Sequence, residues 1–200
     1  MTEANAQADL LRYLQDARGA LLWKLEGLSE YDMRRPLTPT GTNLLGLVKH
    51  LARVELGYFG DTFGRPFYDG ERAPDRYRDD AEENAGMWAT PEETREEIVG
   101  LYRQAWRHAD ATVAALGLDA VGQVPWWPEG RRETTLHHVL VRVLADTQRH
   151  AGQADIVREL IDGSVGWLPG NDSLPQADRE QWENHRRRVE EAARKAGGVG

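Results

Sequence analysis

Residues 136–161, LHHVLVRVLADTQRHAGQADIVRELI, form the stretch that decides the fold. Steps of three and four residues pick out one apolar row along it, which Asp146 and His150 interrupt. This spacing is typical of a helix with one face against a core. The apolar members are Leu136, Val139, Leu140, Val143, Ala154, Val157 and Ile161. The pattern predicts a long helix that turns a carboxylate and an imidazole inward.

A metal site is one explanation for these two inward polar residues, because an isolated buried charge is too costly to keep. A second apolar helical run, around Leu47 and Leu51, carries His50 beside its predicted inner face. Two imidazole nitrogens and one carboxylate oxygen suit zinc, nickel or iron alike. The alternative is structural: each histidine is satisfied by a carbonyl or carboxylate, and Asp146 bonds to His150 along its own helix.

The chain as a whole is predicted to be all-α, with four long helices and a charged fifth helix. Thr90 is the expected N-cap of the third helix, with Pro91 at the first helical position and Glu93 completing a capping box. Gly163 is the expected end of the fourth helix. The predicted helices cover residues 4–28, 42–60, 90–116, 134–162 and 176–196.

The connections predict the topology. About 30 residues, 61–89, link the second and third helices, whereas the other two links are about half as long. A long link is typical of a crossing connection, so the second and third helices should run parallel in an up-down-down-up bundle. We expect one domain over residues 1–200, with a core of about 8–163 and a C-terminal extension of 164–200.

Composition narrows the classes of function. The formal net charge of −8 argues against a nucleic-acid partner. No apolar run approaches the length of a membrane span and no secretory signal is visible, so a cytoplasmic location without membrane contact is the expectation. The sequence contains no cysteine, which excludes a thiolate ligand or nucleophile from the chain. Any thiol chemistry therefore needs a small-molecule thiol.

Four further residues are candidates for the site. Glu55 could act as a general base or support a ligand, or form an ion pair with an arginine of a neighbouring helix. Arg149 and Arg158 could bind a carboxylate substrate, or form surface salt bridges. Trp126 lies in the loop before the fourth helix, where it could wall a pocket or cover a bundle end.

Two other groups are expected to lie outside the site. His137 and His138 are adjacent near the start of the fourth helix, so only one of them is expected to face inward. In the charged fifth helix, Trp182, Val189 and Ala193 form the expected contact row.

Two segments carry a resemblance to a known family. They are TPTGTNLLGLVKHLARVELGYF at residues 38–59 and DTQRHAGQADIVRELIDG at residues 146–163. With them, residues 8–195 resemble the DinB superfamily of helical bundles, most closely the branch that includes mycothiol-dependent maleylpyruvate isomerase. The resemblance implies a divalent metal bound by His50, Asp146 and His150. Asp146 departs from that branch, because it is one methylene shorter than the glutamate expected there.

The resemblance also implies a function. We expect a metal-dependent S-transferase or isomerase whose co-substrate is mycothiol or a similar thiol, acting on a small electrophile. Maleylpyruvate itself is not expected, because that isomerase has an additional C-terminal domain and only about 37 residues follow Gly163 here. Two alternatives stay open: a non-catalytic metal-binding bundle that forms a homodimer, and a metal-dependent hydrolase that uses bound water.

Overall fold

The computed structural model describes residues 3–67, 83–170, 174–175 and 177–199, and most of the long predicted link lies outside these ranges. The first half contains α1 (Glu3–Trp23), α2 (Glu30–Arg34), α3 (Leu44–Glu55), a π-helical turn (Leu56–Gly60) and two 3-10 turns (Asp61–Phe63 and Ala85–Met87). The second half contains α4 (Arg95–Ala115), β1 (Val121–Gln123), β2 (Glu133–Thr135), α5 (Leu136–Asp162) and α6 (Arg179–Gly197). The predicted all-α bundle with an additional C-terminal helix is confirmed.

Helices α3 and α4 run parallel, as the long link predicted. Near the start of both, Lys49 donates to a carboxylate oxygen of Glu93 at 2.7 Å. Beyond the end of α3, Arg65 Nε donates to the Thr112 hydroxyl, late in α4, at 3.1 Å. The two segments therefore advance together along the bundle.

Helix α1 runs against α4 and alongside α5. The Gln7 side chain donates to the Val113 carbonyl at 2.9 Å, and Arg95 donates to the Leu25 carbonyl at 3.2 Å. Arg158, near the end of α5, donates to backbone carbonyls at the end of α1. The order is up-down-down-up, as predicted.

Helix α4 starts later than predicted. The capping box is formed by Thr94 and Glu97, so the prediction of a start at Thr90 was wrong by four residues. A Glu93 carboxylate oxygen accepts from the Thr90 backbone at 2.8 Å and from Lys49 at 2.7 Å. Tertiary contact with α3 thus holds residues 90–93 in a separate turn, an influence that local sequence does not contain.

A two-stranded hairpin before α5 was not predicted. Strands β1 and β2 are antiparallel, and Gly122 pairs with Thr134. A Cβ on Gly122 would lie 2.6 Å from the Thr62 carbonyl oxygen, so glycine lets β1 approach the end of the α3 segment. The hairpin brackets the loop that carries Trp126 and brings that loop to the π-helical turn that follows α3.

The expected contact row on α6 is not buried in this single chain. Val189 is 55% exposed, and no residue of α6 is buried among those described. The prediction of a packed row was wrong, because the apolar spacing of Trp182, Val189 and Ala193 fixes a face but not its partner. None of the helices described is long and apolar enough to cross a membrane.

Candidate functional site

The three predicted ligands come from two helices that face each other. Asn43 caps α3 by accepting a hydrogen bond from the Gly46 backbone at 2.7 Å, and His50 follows two turns later. Helix α5 begins behind the Thr135 cap and carries Asp146 and His150 one turn apart. Packing of α3 against α5 sets His50 opposite this pair.

The distances place the three side chains in one cluster. His50 Nε2 lies 3.7 Å from Asp146 Oδ2, and His150 Nε2 lies 3.7 Å from Asp146 Oδ1. The two imidazole rings meet edge to face, with centroids 4.9 Å apart and an interplanar angle of 76°. One nitrogen from each histidine and one carboxylate oxygen all lie within 4.8 Å of one another. The structure thus brings the predicted trio together.

His50 and Asp146 line a pocket wall, and His150 lies directly behind them with its side chain only partly exposed, so the three side chains are not part of the closed core. This corrects the predicted apolar row. The exposed fractions of the side chains are 29% for His50, 36% for Asp146 and 12% for His150. Thr147 and Ala151, the next residue along in each case, are buried and continue the core row of α5. A stripe spaced by three and four residues is wide enough to include both positions, so periodicity alone could not choose between them.

The local electrostatics of His150 and Asp146 favour the forms that accept a cation. Burial lowers the pKa of His150, against the opposing effect of its hydrogen bond to Gln153. The facing His50 ring, a potential donor, lowers the pKa of Asp146, with burial opposing it and the charges of His150 and Arg142 adding to it. A neutral imidazole and an ionised carboxylate are the forms that coordinate metals.

Gln153 fixes the orientation of His150. Its side-chain oxygen lies 2.7 Å from His150 Nδ1 and can only accept, so Nδ1 carries the hydrogen. The lone pair of His150 is therefore on Nε2, the atom that faces Asp146. Sequence reasoning missed Gln153, although its position three residues after a candidate ligand was a usable signal.

The donor set fits a divalent ion. Two imidazole nitrogens and one carboxylate oxygen are a combination used for zinc and other first-row ions, and three protein ligands leave coordination positions open. No other group of three such side chains with converging ligand atoms occurs in the described parts of the chain. That these residues bind a metal stays a prediction.

A cavity of about 1040 Å³ extends from the trio along α3 and α5. Its lining includes Tyr58, Trp126, Arg142 and Arg149, so two of the predicted substrate-binding candidates do face the site. His137 and His138 are both exposed and both line it, so neither faces inward, as one of them was expected to. The cavity lies at the exposed start of α5, where adjacent positions can border the same opening.

Arg158 lies outside the cavity. It is buried, and its guanidinium donates to the carbonyls of Lys24 and Glu26 and to the carboxylate of Asp162. These bonds satisfy carbonyls at the C-terminal end of α1, which would otherwise lack a partner. The structure supports a structural role here and gives no support for substrate contact.

Glu55 forms the buried ion pair that the sequence offered as the alternative to a general base. Arg18 Nε donates to Glu55 Oε1 at 2.9 Å, and Arg18 Nη2 donates to Oε2 at 2.5 Å. Burial raises the pKa of Glu55, against the opposing charge of Arg18. Arg18 also contacts Asp110 of α4 at 2.9 Å, so the pair joins three helices away from the cavity.

The π-helical turn and α5 each contribute one cavity residue, Tyr58 and Arg142, whose role the sequence did not reveal. Tyr58 lies within this turn, and its hydroxyl oxygen accepts from Arg142 Nε at 2.8 Å. Turns of this kind occur often at functional sites because the added residue changes which side chains face inward. Neither residue has a spacing that marks it as part of a site, so only the pairing of the α3 segment with α5 could have identified them.

Comparison with known proteins bears on this site. A family model described as Mycothiol-S-transferase matches residues 9–163. The chain belongs to this family. Among curated proteins, none matches the chain. The match confirms the DinB-like, mycothiol-related resemblance and supports a thiol-related function for this mycothiol S-transferase family member.

Proposed function

We propose that the protein is a metal-dependent S-transferase that joins a low-molecular-weight thiol, with mycothiol as the first candidate, to a small electrophile. One observation carries the proposal: the His50, Asp146 and His150 ligand atoms lie within 4.8 Å of one another, and His50 and Asp146 line a cavity, in a chain of the mycothiol S-transferase family. The sequence contains no cysteine, so the nucleophilic sulfur has to come from the small molecule.

Each member of the trio has a defined task. A divalent ion held by His50, Asp146 and His150 supplies positive charge that favours a thiolate over a thiol near neutral pH. Asp146 provides the negative charge that attracts the ion, and Gln153 keeps Nε2 of His150 available to it. The shorter carboxylate of Asp146 retains the oxygen donor of the expected glutamate with less reach.

The cavity supplies binding and orientation. Arg142 and Arg149 place positive charge beside it, which favours anionic groups on the thiol or the electrophile. Val54 and Val141 provide apolar wall that suits the body of an organic substrate. Binding both substrates in one cavity makes their encounter effectively unimolecular, a major source of rate enhancement.

The test is the rate of thiol transfer to an activated aryl halide by protein loaded with zinc, nickel or manganese. Mycothiol, bacillithiol and glutathione are compared, and the aryl thioether is followed by absorbance. Asp146→Ala should lower kcat/KM by about 100-fold or more with helical content intact, whereas Asp146→Glu should retain part of the rate. Glu159→Ala, at an exposed carboxylate of the same helix, is the matched control and should be unchanged.

Equal rates for the wild-type and Asp146→Ala proteins with every thiol would overturn the transferase proposal. Ester hydrolysis without thiol, lost in Asp146→Ala, would identify the hydrolase alternative. Metal binding without either reaction would identify the non-catalytic bundle, whose dimerisation can be measured by light scattering.

A further inference from the structure

Tyr58 lies in the same cavity as the metal-site candidates but has no place in the function proposed above. It follows His50 and Val54 at intervals of four residues, and all three line the cavity. Eight residues of helix correspond to about 12 Å, so Tyr58 and His50 are far enough apart to contact different parts of one substrate. The Tyr58 side chain is buried, with the residue 8% exposed.

The hydrogen bonds of Tyr58 leave its hydroxyl hydrogen for another group. Arg142 Nε donates to the phenolic oxygen at 2.8 Å, and Trp127 Nε1 donates to it at 3.3 Å. Neither partner has an acceptor to offer in return. Both neighbours therefore donate to the phenolic oxygen, and the hydroxyl can donate its own hydrogen to a third atom.

Several contacts hold this hydroxyl in place. The Tyr58 ring meets the Trp126 ring edge to face at 5.1 Å, and the Arg142 guanidinium lies over the rings of Tyr58 and Trp127 at 5.4 and 5.3 Å. A Cβ on Gly57 would lie 2.9 Å from Trp126, so glycine permits this close approach. A donor fixed in advance costs little reorganisation when charge develops nearby.

We propose that Tyr58 is a catalytic hydrogen-bond donor to the carbonyl oxygen of an α,β-unsaturated carbonyl electrophile. Aromatic faces at Trp126 and apolar wall at Val54 suit the planar conjugated body of such a substrate. The proposal rests on the proposed function for its thiol. Arg142 is a positioning residue that acts through Tyr58.

The reaction step balances without a further reagent. The thiolate sulfur forms a bond to the β-carbon, and the electron pair of the carbon–carbon double bond shifts so that negative charge gathers on the carbonyl oxygen. The Tyr58 hydroxyl donates to that oxygen while the charge is present. The α-carbon then takes a proton from water, which replaces the proton that the thiol released, and no group leaves.

The first test compares two electrophiles with the same thiol. Tyr58→Phe should lower kcat/KM for 2-cyclohexen-1-one by about 100-fold, the usual effect of losing one such donor. For benzyl chloride, which contains no oxygen, the change should stay within about twofold, because a direct displacement does not use the donor. Metal content and helical circular dichroism are measured alongside. An equal loss for both electrophiles, or no loss for the enone, would overturn the proposal.

The second test requires no thiol transfer. 4-Nitrophenolate carries negative charge on an oxygen attached to a planar ring, and its absorbance reports binding. Loss of one charged hydrogen bond should raise its Kd about tenfold in Tyr58→Phe. Tyr13→Phe, an exposed tyrosine of α1, is the matched control and should bind as the wild type does.

The two tests separate the two proposals. An equal Kd in wild-type and Tyr58→Phe proteins would overturn the donor role. A tenfold difference in Kd in a protein that transfers no thiol would instead leave the donor subsite standing and count against the proposed transferase function.

Discussion

The Asp146 carboxylate lies between two imidazoles, with each of its oxygens 3.7 Å from Nε2 of His50 or His150. The candidate metal site therefore depends on this one residue. Its partner four residues along the same helix could be read from spacing alone. Its partner on α3 could be expected from the apolar helical run that carries His50 and from the family resemblance. Gln153 and Tyr58 required the three-dimensional arrangement, since the hydrogen bonds that give them a role do not follow from their positions in the chain.

The buried ion pair between Glu55 and Arg18 should contribute to stability. Glu55→Gln should lower the free energy of unfolding by about 3 kcal/mol, because it leaves the buried Arg18 with an incomplete counter-charge. Urea denaturation followed by circular dichroism measures this change. A fully stable Glu55→Gln protein with no thiol transfer would instead restore the general-base interpretation.

The contrast between Glu55 and Asp146 explains which roles the sequence could assign. Arg18 lies 37 residues from Glu55, and the partners of Arg158 just after α1 lie more than 130 residues away. Periodicity places such side chains on a face but does not choose their partners. For these residues the functional and structural interpretations could be separated only by the folded chain.

Helices could be predicted from the sequence where the apolar spacing and the capping residues agreed. Helix α5 ends at Gly163, which is left-handed with φ of 78°, as predicted. The sequence did not predict the start of α4, the β-hairpin or the π-helical turn. Each of them depends on contact with α3 or on pairing over a distance. The hairpin and the π-helical turn together bring Trp126 and Tyr58 into one cavity.

Gly46 allows α3 to lie close to the segment before α4. A Cβ there would lie 1.9 Å from the Met87 carbonyl oxygen, so Gly46→Ala must separate α3 from the segment before α4. We expect a loss of about 1–3 kcal/mol in the free energy of unfolding, typical of overpacking.

Gly152 on α5 supplies the matched control. Nothing lies within 4 Å of its Cβ position, so Gly152→Ala should stabilise the helix by about 0.5–1 kcal/mol. Thermal and urea unfolding of both variants measure the difference. Equal effects of the same sign in the two variants would show that the contact at Gly46 has been misassigned.

The whole molecule is held together by contacts between the ends of distant helices as well as by its core. The up-down-down-up order was predictable, because the long link excluded a simple meander. The charged groups that join the helices could not be predicted. Among them, Arg158 satisfies carbonyls of Lys24 and Glu26 while Asp162 holds its guanidinium. We propose that residues 1–200 fold as one domain on this basis.

The ionised carboxyl of Asp162 should make the stability of the fold depend on pH. The hydrogen bond from Arg158 lowers the pKa of this carboxyl to about 2, against an unfolded value of about 3.9. A lowered folded-state pKa contributes stability above pH 4 that is lost as pH falls toward 2. Asp162→Asn should therefore unfold more readily than wild type at pH 7, and the difference should shrink between pH 4 and pH 2.

Urea midpoints across this pH range measure the effect. Asp9→Asn removes an exposed ion pair with Arg12 and should change stability little at any pH. A constant difference between wild type and Asp162→Asn from pH 7 to pH 2 would rule out the ionised carboxyl as its source.

The central claim is that His50, Asp146 and His150 form a metal site, and elemental analysis tests it most directly. Purified protein is incubated separately with zinc, nickel and manganese and then passed through a desalting column. Wild-type protein and the exposed control His185→Ala should retain about one ion per chain with at least one of these metals, whereas His150→Ala should lose that metal. A wild-type protein that emerges free of metal after all three incubations would contradict the account.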